Sequence, residues 1–291
     1  MSERVFIIGP GHVGRGLSRA FRASGVGLVG LHGKRPSGVA TSTGPLPLEM
    51  SSANVIIVAV RDSQLEDAIQ ELIDAASTRR LSSGTVILHT SAIAEPRGLE
   101  VLRQAGYAGG TFHPLVPFGD PEVSAELLRH AWIGVDGDNA ARNVSRRLAG
   151  QLGARTLEIP SGKKPAYHAA AVISSNFPVV LASVATRLLR DIGVAEGSAH
   201  QAVESLMTGA LSNMRQVLPD DALTGPVVRG DTETVGKHLR ALAFHGDAHE
   251  VYRALSAAAV SIAHHRGTDP KKLAALTGML NPIGRRENIQ E

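Results

Sequence analysis

Three segments of the chain concentrate residue types that hold phosphate groups or move protons. The first is Gly9-Pro10-Gly11-His12-Val13-Gly14, a G-x-G-x-x-G run. It follows the compact apolar run Val5-Phe6-Ile7-Ile8 and opens a stretch with Val13, Leu17 and Phe21 four apart on one face. In such a strand–turn–helix setting the backbone N–H groups and the positive helix end receive a pyrophosphate. Gly9 serves the tight turn, Gly11 the close approach of the ligand, and Gly14 close helix–strand packing. A glycine-rich turn without a ligand is the alternative. The position at the first strand–helix turn favours the binding loop.

The residues that follow say which dinucleotide. An NAD site expects Asp or Glu about 20 residues beyond the glycines, bonding the ribose hydroxyls. Here the chain reads Gly30-Leu31-His32-Gly33-Lys34-Arg35, without an acid. Lys34 and Arg35 put two positive charges where a 2′-phosphate would lie, and Arg can engage it bidentately. The expected cofactor is therefore NADP(H), against the alternative of two solvated loop cations. Val60 and His89, near the ends of two later strand-like runs, complete the expected cofactor-binding set.

In an open α/β sheet the ligand lies outside the carboxyl ends of the strands. That selects Arg61-Asp62, His89-Thr90-Ser91 and His113-Pro114-Leu115. Asp62 is read as part of a helix start, with no catalytic role. His89 and His113 either face the nicotinamide or are satisfied structural groups. A further cluster is Lys163-Lys164-Pro165-Ala166-Tyr167-His168, followed by Ser175-Asn176. On one continuous helix Lys164, His168 and Asn176 share a face. A cation and an amide converging on a crevice suit reduction of a polarised C=O or C=N, where donors stabilise the developing charge and one titratable group delivers a proton. The alternative makes Lys163 and Lys164 surface charges and gives Asn176 to a backbone kink near Pro178. The expected catalytic set is Lys164, His168, Asn176 and His113.

Thr224-Gly225-Pro226 and Arg229-Gly230-Asp231 form another candidate, in which Asp231 caps a helix from Thr232 or Arg229 holds a substrate carboxylate. His245 and His249, with Asp247 between them, imitate a metal pair. Gly246 and the absence of a third nearby ligand argue against a metal, and none is expected.

These residues need elements to position them. The first half alternates strand-like and helix-like runs: Gly27 to Leu31, Val55 to Val60, a Ser63-x-x-Glu66 capping-box spacing before Leu65, Ile69, Leu72 and Ile73, then Thr85 to Leu88. Strands are further expected near Phe112, at Trp132 to Val135 and at Thr156 to Ile159, with a helix through Ala141, Val144, Leu148 and Leu152. This alternation implies a mostly parallel, doubly wound Rossmann-type α/β sheet. Pro160-Ser161-Gly162 marks the boundary, giving domains 1–160 and 161–291. Beyond it helical spacings dominate, as at Val203, Leu206 and Ala210, so the second domain is expected to be all-helical. A short strand at Pro226 to Val228 is the exception weighed, and Arg285 to Glu291 is expected to fray.

Composition narrows the function. Lys and Arg number 30 against 27 Asp and Glu, a net charge of +3 that is too small and dispersed for a nucleic-acid partner. Aromatics at 3% argue further against base stacking. The absence of Cys removes disulfides, thiolate zinc sites and Cys nucleophiles, and fits a reducing, cytoplasmic setting. The N-terminus enters a strand-like run at once, so no signal peptide is expected. Ala169 to Thr186 carries no charge, near the length of a spanning helix, but Ser174, Ser175, Asn176 and Pro178 interrupt it. A buried helix of a soluble protein is the expectation, with no membrane partner.

The GPGHVG loop, the IIVAV strand and the step from GARTLEIPSG into a helix resemble the 6-phosphogluconate/β-hydroxyacid dehydrogenase superfamily, which includes ketopantoate and pyrroline-5-carboxylate reductases. HTSA at His89, HPLVPF at His113, KKPAYHAAAVISSN at Lys163 and LTGPVVRGD at Leu223 are similar to one branch, Rossmann-like proteins carrying a C-terminal domain of unknown function called DUF2520. The resemblance covers nearly the whole chain. It implies an NAD(P)-binding domain, a helical second domain, and a homodimer built through the helical domains. It also implies a catalytic Lys on the first helix of the second domain, a position that Lys164 matches. The superfamily's Asn four residues later is His168 here, and Asn176 is the candidate for the amide role. HPLVPF is also similar to the HPM segment of prephenate dehydrogenases, whose His acts on the substrate hydroxyl. The leading reading is an NADP(H)-dependent oxidoreductase that moves hydride between nicotinamide and a small organic acid, carbonyl or imine bound between the domains. A non-catalytic NADP(H)-binding sensor and a prephenate-dehydrogenase-like oxidation of a hydroxy acid are the alternatives.

Overall fold

The computed structural model describes residues 3–281. The chain runs β1 (Arg4–Ile8), α1 (His12–Ala23), β2 (Gly27–Gly33), β3 (Ser42–Thr43), β4 (Val55–Val58), α2 (Leu65–Ser77), β5 (Val86–His89), α3 (Gly98–Gln104), β6 (Ala108–Pro114), α4 (Pro121–Leu127), β7 (Trp132–Gly137), α5 (Asn139–Gln151) and β8 (Arg155–Glu158). Helices follow: α6 (Lys164–Asp191), α7 (Glu196–Met214), α8 (Pro219–Ala222), α9 (Thr232–Ala241), α10 (Gly246–His265) and α11 (Pro270–Leu280). Two compact units result, residues 1–175 and 176–291. As secondary structure the all-helical part begins at Lys164, two residues past the expected Pro160–Gly162 boundary, while the compact division falls inside α6.

The first unit is the expected Rossmann-type sheet. Among the described residues its eight strands are ordered β3-β2-β1-β4-β5-β6-β7-β8. Every pairing is parallel except β6 with β7, where His113 stands opposite Gly134 and Thr111 opposite Asp136. Strand alternation divides the core. Val5, Ile7, Ile57, Leu88, Phe112 and Val135 pack on Leu17, Phe21, Val144 and Leu148 of α1 and α5. Phe6, Ile8, Ile56, Val58 and Ile87 meet Leu65, Ile69, Leu72 and Leu99 of α2 and α3 on the other face. Each such buried side chain contributes about 1.5–3 kcal/mol, so both faces hold the carboxyl strand ends firmly. The topological switch lies between β1 and β4, which places the glycine loop there.

Local chemistry departs from expectation at several points. The Ser63/Glu66 capping box does not form. Residues Asp62–Gln64 make a 3-10 turn, α2 starts without a side-chain cap, and Glu66 instead accepts from Arg97 N at 2.8 Å. Tertiary demand for that acceptor outweighs the local motif. Pro226 to Val228 is a turn, not a strand, with Val227 buried in the small core formed with Val235, Ala263, Leu273 and Leu276. Asp231 does cap α9, accepting from Thr234 N at 3.0 Å. Helix α6 is not buried: Ile173, Phe177, Val179 and Val180 are exposed. By length and composition alone it is long and apolar enough to cross a membrane, and Ser174 and Ser175 donate to the helix's own backbone at Ala170 O and Ala171 O. The tail Arg285 to Glu291 lies outside the described residues.

Asp138 ties α5 to the sheet. Its Oδ1 caps the helix, accepting from Ala141 N at 2.9 Å, while Oδ2 accepts from Gly109 N on β6 at 2.7 Å. Asp138→Ala removes both bonds and is expected to lower the unfolding free energy by about 1–3 kcal/mol. Urea denaturation of the full chain measures this, and an unchanged midpoint would refute it.

Candidate active site

The glycine loop has the geometry of a phosphate cradle. Gly9 closes β1 with φ +114°, and a Cβ there would collide with Ala59 O and press on Val60, so only glycine fits. A Cβ at Gly14 would collide with Gly9 O, which is what lets α1 start so close to the strand. Gly11 is the opposite case: a Cβ there meets nothing within 4 Å, leaving open space in front of the helix. Gly11 is also the N-cap of α1, makes no side-chain cap, and is followed by no acid in the first turn. An uncapped positive helix end beside open space fits a pyrophosphate. Pro10 packs against Gly33 and accepts at its carbonyl from Arg15 Nε at 3.0 Å. Val13 is half-buried against the core. His12 Nδ1 lies 2.7 Å from Gly119 O, so the loop holds down the segment after β6.

At the far end of this groove, Lys34 and Arg35 follow β2 and are exposed. Lys34 is not free. Its Nζ pairs with Glu71 Oε1 at 2.7 Å, and that hydrogen bond raises its pKa. Beneath them His32 is buried against Phe6, with its Nδ1 3.0 Å from Ser42 Oγ. Both cations thus stand just after β2, and one of the two is paired with α2.

Toward β5 and β6 the carboxyl ends gather imidazoles. His89, on the last residue of β5, is 1% exposed, and its Nε2 lies 3.2 Å from Thr111 Oγ1 on β6. Its Nδ1 is buried without a partner. Burial, aided by Lys164 and then His113, lowers its pKa to about 3. His113 on β6 is half-buried; burial and the His168 ring lower it to about 4, with Asp62 pulling the other way. Both histidines are therefore neutral at pH 7. His168 approaches His113 edge-on at 6.3 Å between centroids, and its Nδ1 is buried without a partner. Tyr167 puts its hydroxyl 2.8 Å from His113 Nδ1.

Lys164 anchors this cluster from below. It is 4% exposed, which excludes a surface charge. Its Nζ donates to Ala94 O at 3.3 Å and lies 3.5 Å from Asp136 Oδ2 and 3.9 Å from Glu95 Oε1. It borders a cavity of ≈ 630 Å³ whose wall also includes His89, Arg103, Thr111 and Asp138. The first turns of α6 thus bring Lys164 and His168 beside His89 and His113 within the first unit. Asn176, on the same helix, falls in the second unit. His245 and His249 belong to the second unit, where His245 Nδ1 lies 3.2 Å from Asp191 and His249 Nδ1 3.6 Å from Glu250.

Tyr167, Asp136 and Gly134 were missed by the sequence reading. Asp136 had a signal, an acid that directly continues the apolar strand Trp132 to Val135, where a half-buried carboxylate calls for a partner. Tyr167 had one too, standing three residues after Lys164 on the same helical face. Gly134 had none. Its role depends on a helix thirty residues later.

Residues 131–259 match the family described as Domain of unknown function (DUF2520). The match bears out the resemblance and takes in the KKPAYH and LTGPVVRGD motifs, whereas HTSA at His89 and HPLVPF at His113 lie before it. The DUF2520 segment starts just before β7 and so includes Gly134, Asp136, Lys164, Tyr167 and His168. The whole fold is similar to that of protein TM1727 from Thermotoga maritima, with a TM-score of 0.68 at 23% identity over 90% of this chain and 99% of that one. It is similar to a candidate NADP oxidoreductase from Bacteroides fragilis, with a TM-score of 0.67 at 20% identity over 89% and 98%. It is also similar to a pyrroline carboxylate reductase from Plasmodium falciparum with NADP bound, with a TM-score of 0.58 at 10% identity over 90% and 98%. No curated protein matches the sequence. The shared fold is a Rossmann-type sheet followed by a helical part.

The two depressed histidines give the protein a defined acid response. The unfolded chain binds protons near pH 6.5, whereas the folded one does so only near 4 and 3. Stability is therefore full above pH 6.5 and falls as the pH drops through that window, by up to about 1.4 kcal/mol per pH unit for each histidine. Urea unfolding at pH 7, 6 and 5 should show the decline, and His113→Gln should flatten it. Equal slopes in the two proteins would contradict the assignment.

Proposed function

We propose that this protein is an NADP(H)-dependent oxidoreductase that transfers hydride between the nicotinamide and a small organic acid, carbonyl or imine, working in the cytoplasm. One observation carries the reading: a single compact unit joins an open, uncapped glycine loop at the β1–α1 turn with neutral imidazoles at the ends of β5 and β6. Strand β5 is two strand spacings from β1, about 10 Å. A nicotinamide riboside extended from the loop spans that order of distance.

When bound, the dinucleotide supplies the hydride donor or acceptor. Gly9, Gly11 and Gly14 hold its pyrophosphate, and Lys34 and Arg35 meet the 2′-phosphate. His113 and His168 act at the reacting oxygen or nitrogen by hydrogen bonding or proton movement. Lys164 acts through its buried charge, keeping His89 neutral and holding the start of α6. The oxidative reading keeps one support: a base that takes a hydroxyl proton must be unprotonated at neutral pH, and His113 is.

The uncharged stretch of α6 supports a homodimer in which a second copy covers Ile173, Phe177, Val179 and Val180. A membrane span suits the helix less well, because its first turn is bonded to a charged cavity through Lys164.

Fluorescence titration with NADPH and NADH tests the cofactor. NADPH should bind the more tightly, and Lys34→Ala/Arg35→Ala should cut that preference at least about tenfold, or ~1.4 kcal/mol. An unchanged ratio would exclude the 2′-phosphate role, and binding of neither would exclude the enzyme reading. Sedimentation should give a dimer that Val180→Glu converts to monomer; a monomeric native chain would remove the dimer.

A further inference from the structure

The contact between His113 and Tyr167 is more specific than packing. The Tyr167 hydroxyl lies 2.8 Å from His113 Nδ1, with the rings nearly perpendicular at 82°. One of the two groups must donate. Burial raises the Tyr167 pKa, so the phenol keeps its hydrogen at neutral pH. A neutral imidazole carries one N–H and one bare nitrogen, and the hydrogen bond at one nitrogen selects the tautomer at the other. Gly134 stands opposite His113 in the sheet, and a Cβ there would overlap the Tyr167 hydroxyl. The hydroxyl is thus seated directly on the β7 backbone. Donation to Nδ1 uses its only hydrogen well, whereas acceptance from Nδ1–H would leave that hydrogen against the bare strand at a cost in unsatisfied polarity.

We propose that Tyr167 is a positioning residue that donates to His113 Nδ1, fixes the ring with its proton on Nε2, and so makes His113 a neutral hydrogen-bond donor to substrate. The proposal rests on the oxidoreductase reading for the identity of the substrate, and on the chain alone for the tautomer. It gives the site a chemistry. An Nε2–H imidazole stabilises the oxygen or nitrogen of a C=O or C=N as that atom gathers negative charge. It cannot accept a hydroxyl proton at the same nitrogen, so His113 is not the base of a hydroxy-acid oxidation. The groups around the ring are consistent with a neutral state. His168 on α6 disfavours a second proton; Asp62, in the turn after β4, favours one, and burial outweighs it.

The test is 1H–15N multiple-bond NMR on the 15N-labelled full chain without cofactor, with His113 assigned by its loss in His113→Gln. The ring should be neutral and protonated at Nε2 at pH 7. The sign of the change in Tyr167→Phe decides the direction of the bond. If Tyr167 donates, its hydrogen bond favours neutral His113, and the variant raises the His113 pKa by about one unit, tenfold in protonation. If it accepts, its bond favours the cation, and the variant lowers the pKa. Gly134→Ala, which displaces the hydroxyl without deleting it, should also raise the value. An Nδ1–H tautomer, an imidazolium at pH 7, or an unchanged or lowered pKa in Tyr167→Phe would overturn the proposal. Failure to bind NADPH would instead overturn the oxidoreductase reading and leave the tautomer result standing.

Discussion

A buried lysine charge is the constraint on which the site depends. Removing an ammonium group from water costs several kcal/mol unless partners answer it. Lys164 finds Asp136 on β7, Glu95 after β5 and the Ala94 carbonyl, three partners from two parts of one sheet. Those contacts fix where α6 begins and how it is rotated. One turn later, the same rotation puts Tyr167 over Gly134 and His168 beside His113. Deleting either side of this ion pair leaves an unanswered charge in a protein interior, so the pair is a strong determinant of geometry even if it adds little net stability.

The positive charge of Lys164 also shapes the electrostatics above it. It disfavours protonation of His89, as does His113. Burial is the larger cause for both histidines. The result is a set of imidazoles that stay neutral through the physiological range, next to a helix terminus adapted to anions. An open, uncapped helix terminus thus stands at the β1–β4 switch, and two to three strands away the neutral imidazoles of His89 and His113 adjoin the ion-paired group of Lys164, Asp136 and Glu95.

The helical half obeys a different constraint. Its small core of Val227, Val235, Ala263, Leu273, Leu276 and Leu280 leaves much apolar surface uncovered, with Phe244 96% exposed and Leu206 73%. The uncharged run from Ala169 to Thr186 likewise exposes Ile173, Phe177, Val179 and Val180, although its composition alone suggested burial.

Alternating strand-like and helix-like periodicity determined the sheet and its helices, because both faces of a parallel sheet must be apolar and the connecting helices amphipathic. The loop at Gly9, Gly11 and Gly14 was legible for the same reason: the roles of these glycines follow from backbone geometry within a few residues. So was the Asp231 cap, a bond between near neighbours. Interactions between distant segments were not legible. Glu66 forms a bond with Arg97 instead of a capping box, Lys34 pairs with Glu71, and Lys164 is buried although its neighbour Lys163 is exposed. The Tyr167–His113 bond joins residues 54 positions apart and requires a glycine on a third element. Sequence spacing orders residues along one helix or strand, where the repeat is fixed. Which partner a side chain meets across the fold is set by the packing of whole elements, and that only the tertiary structure decided.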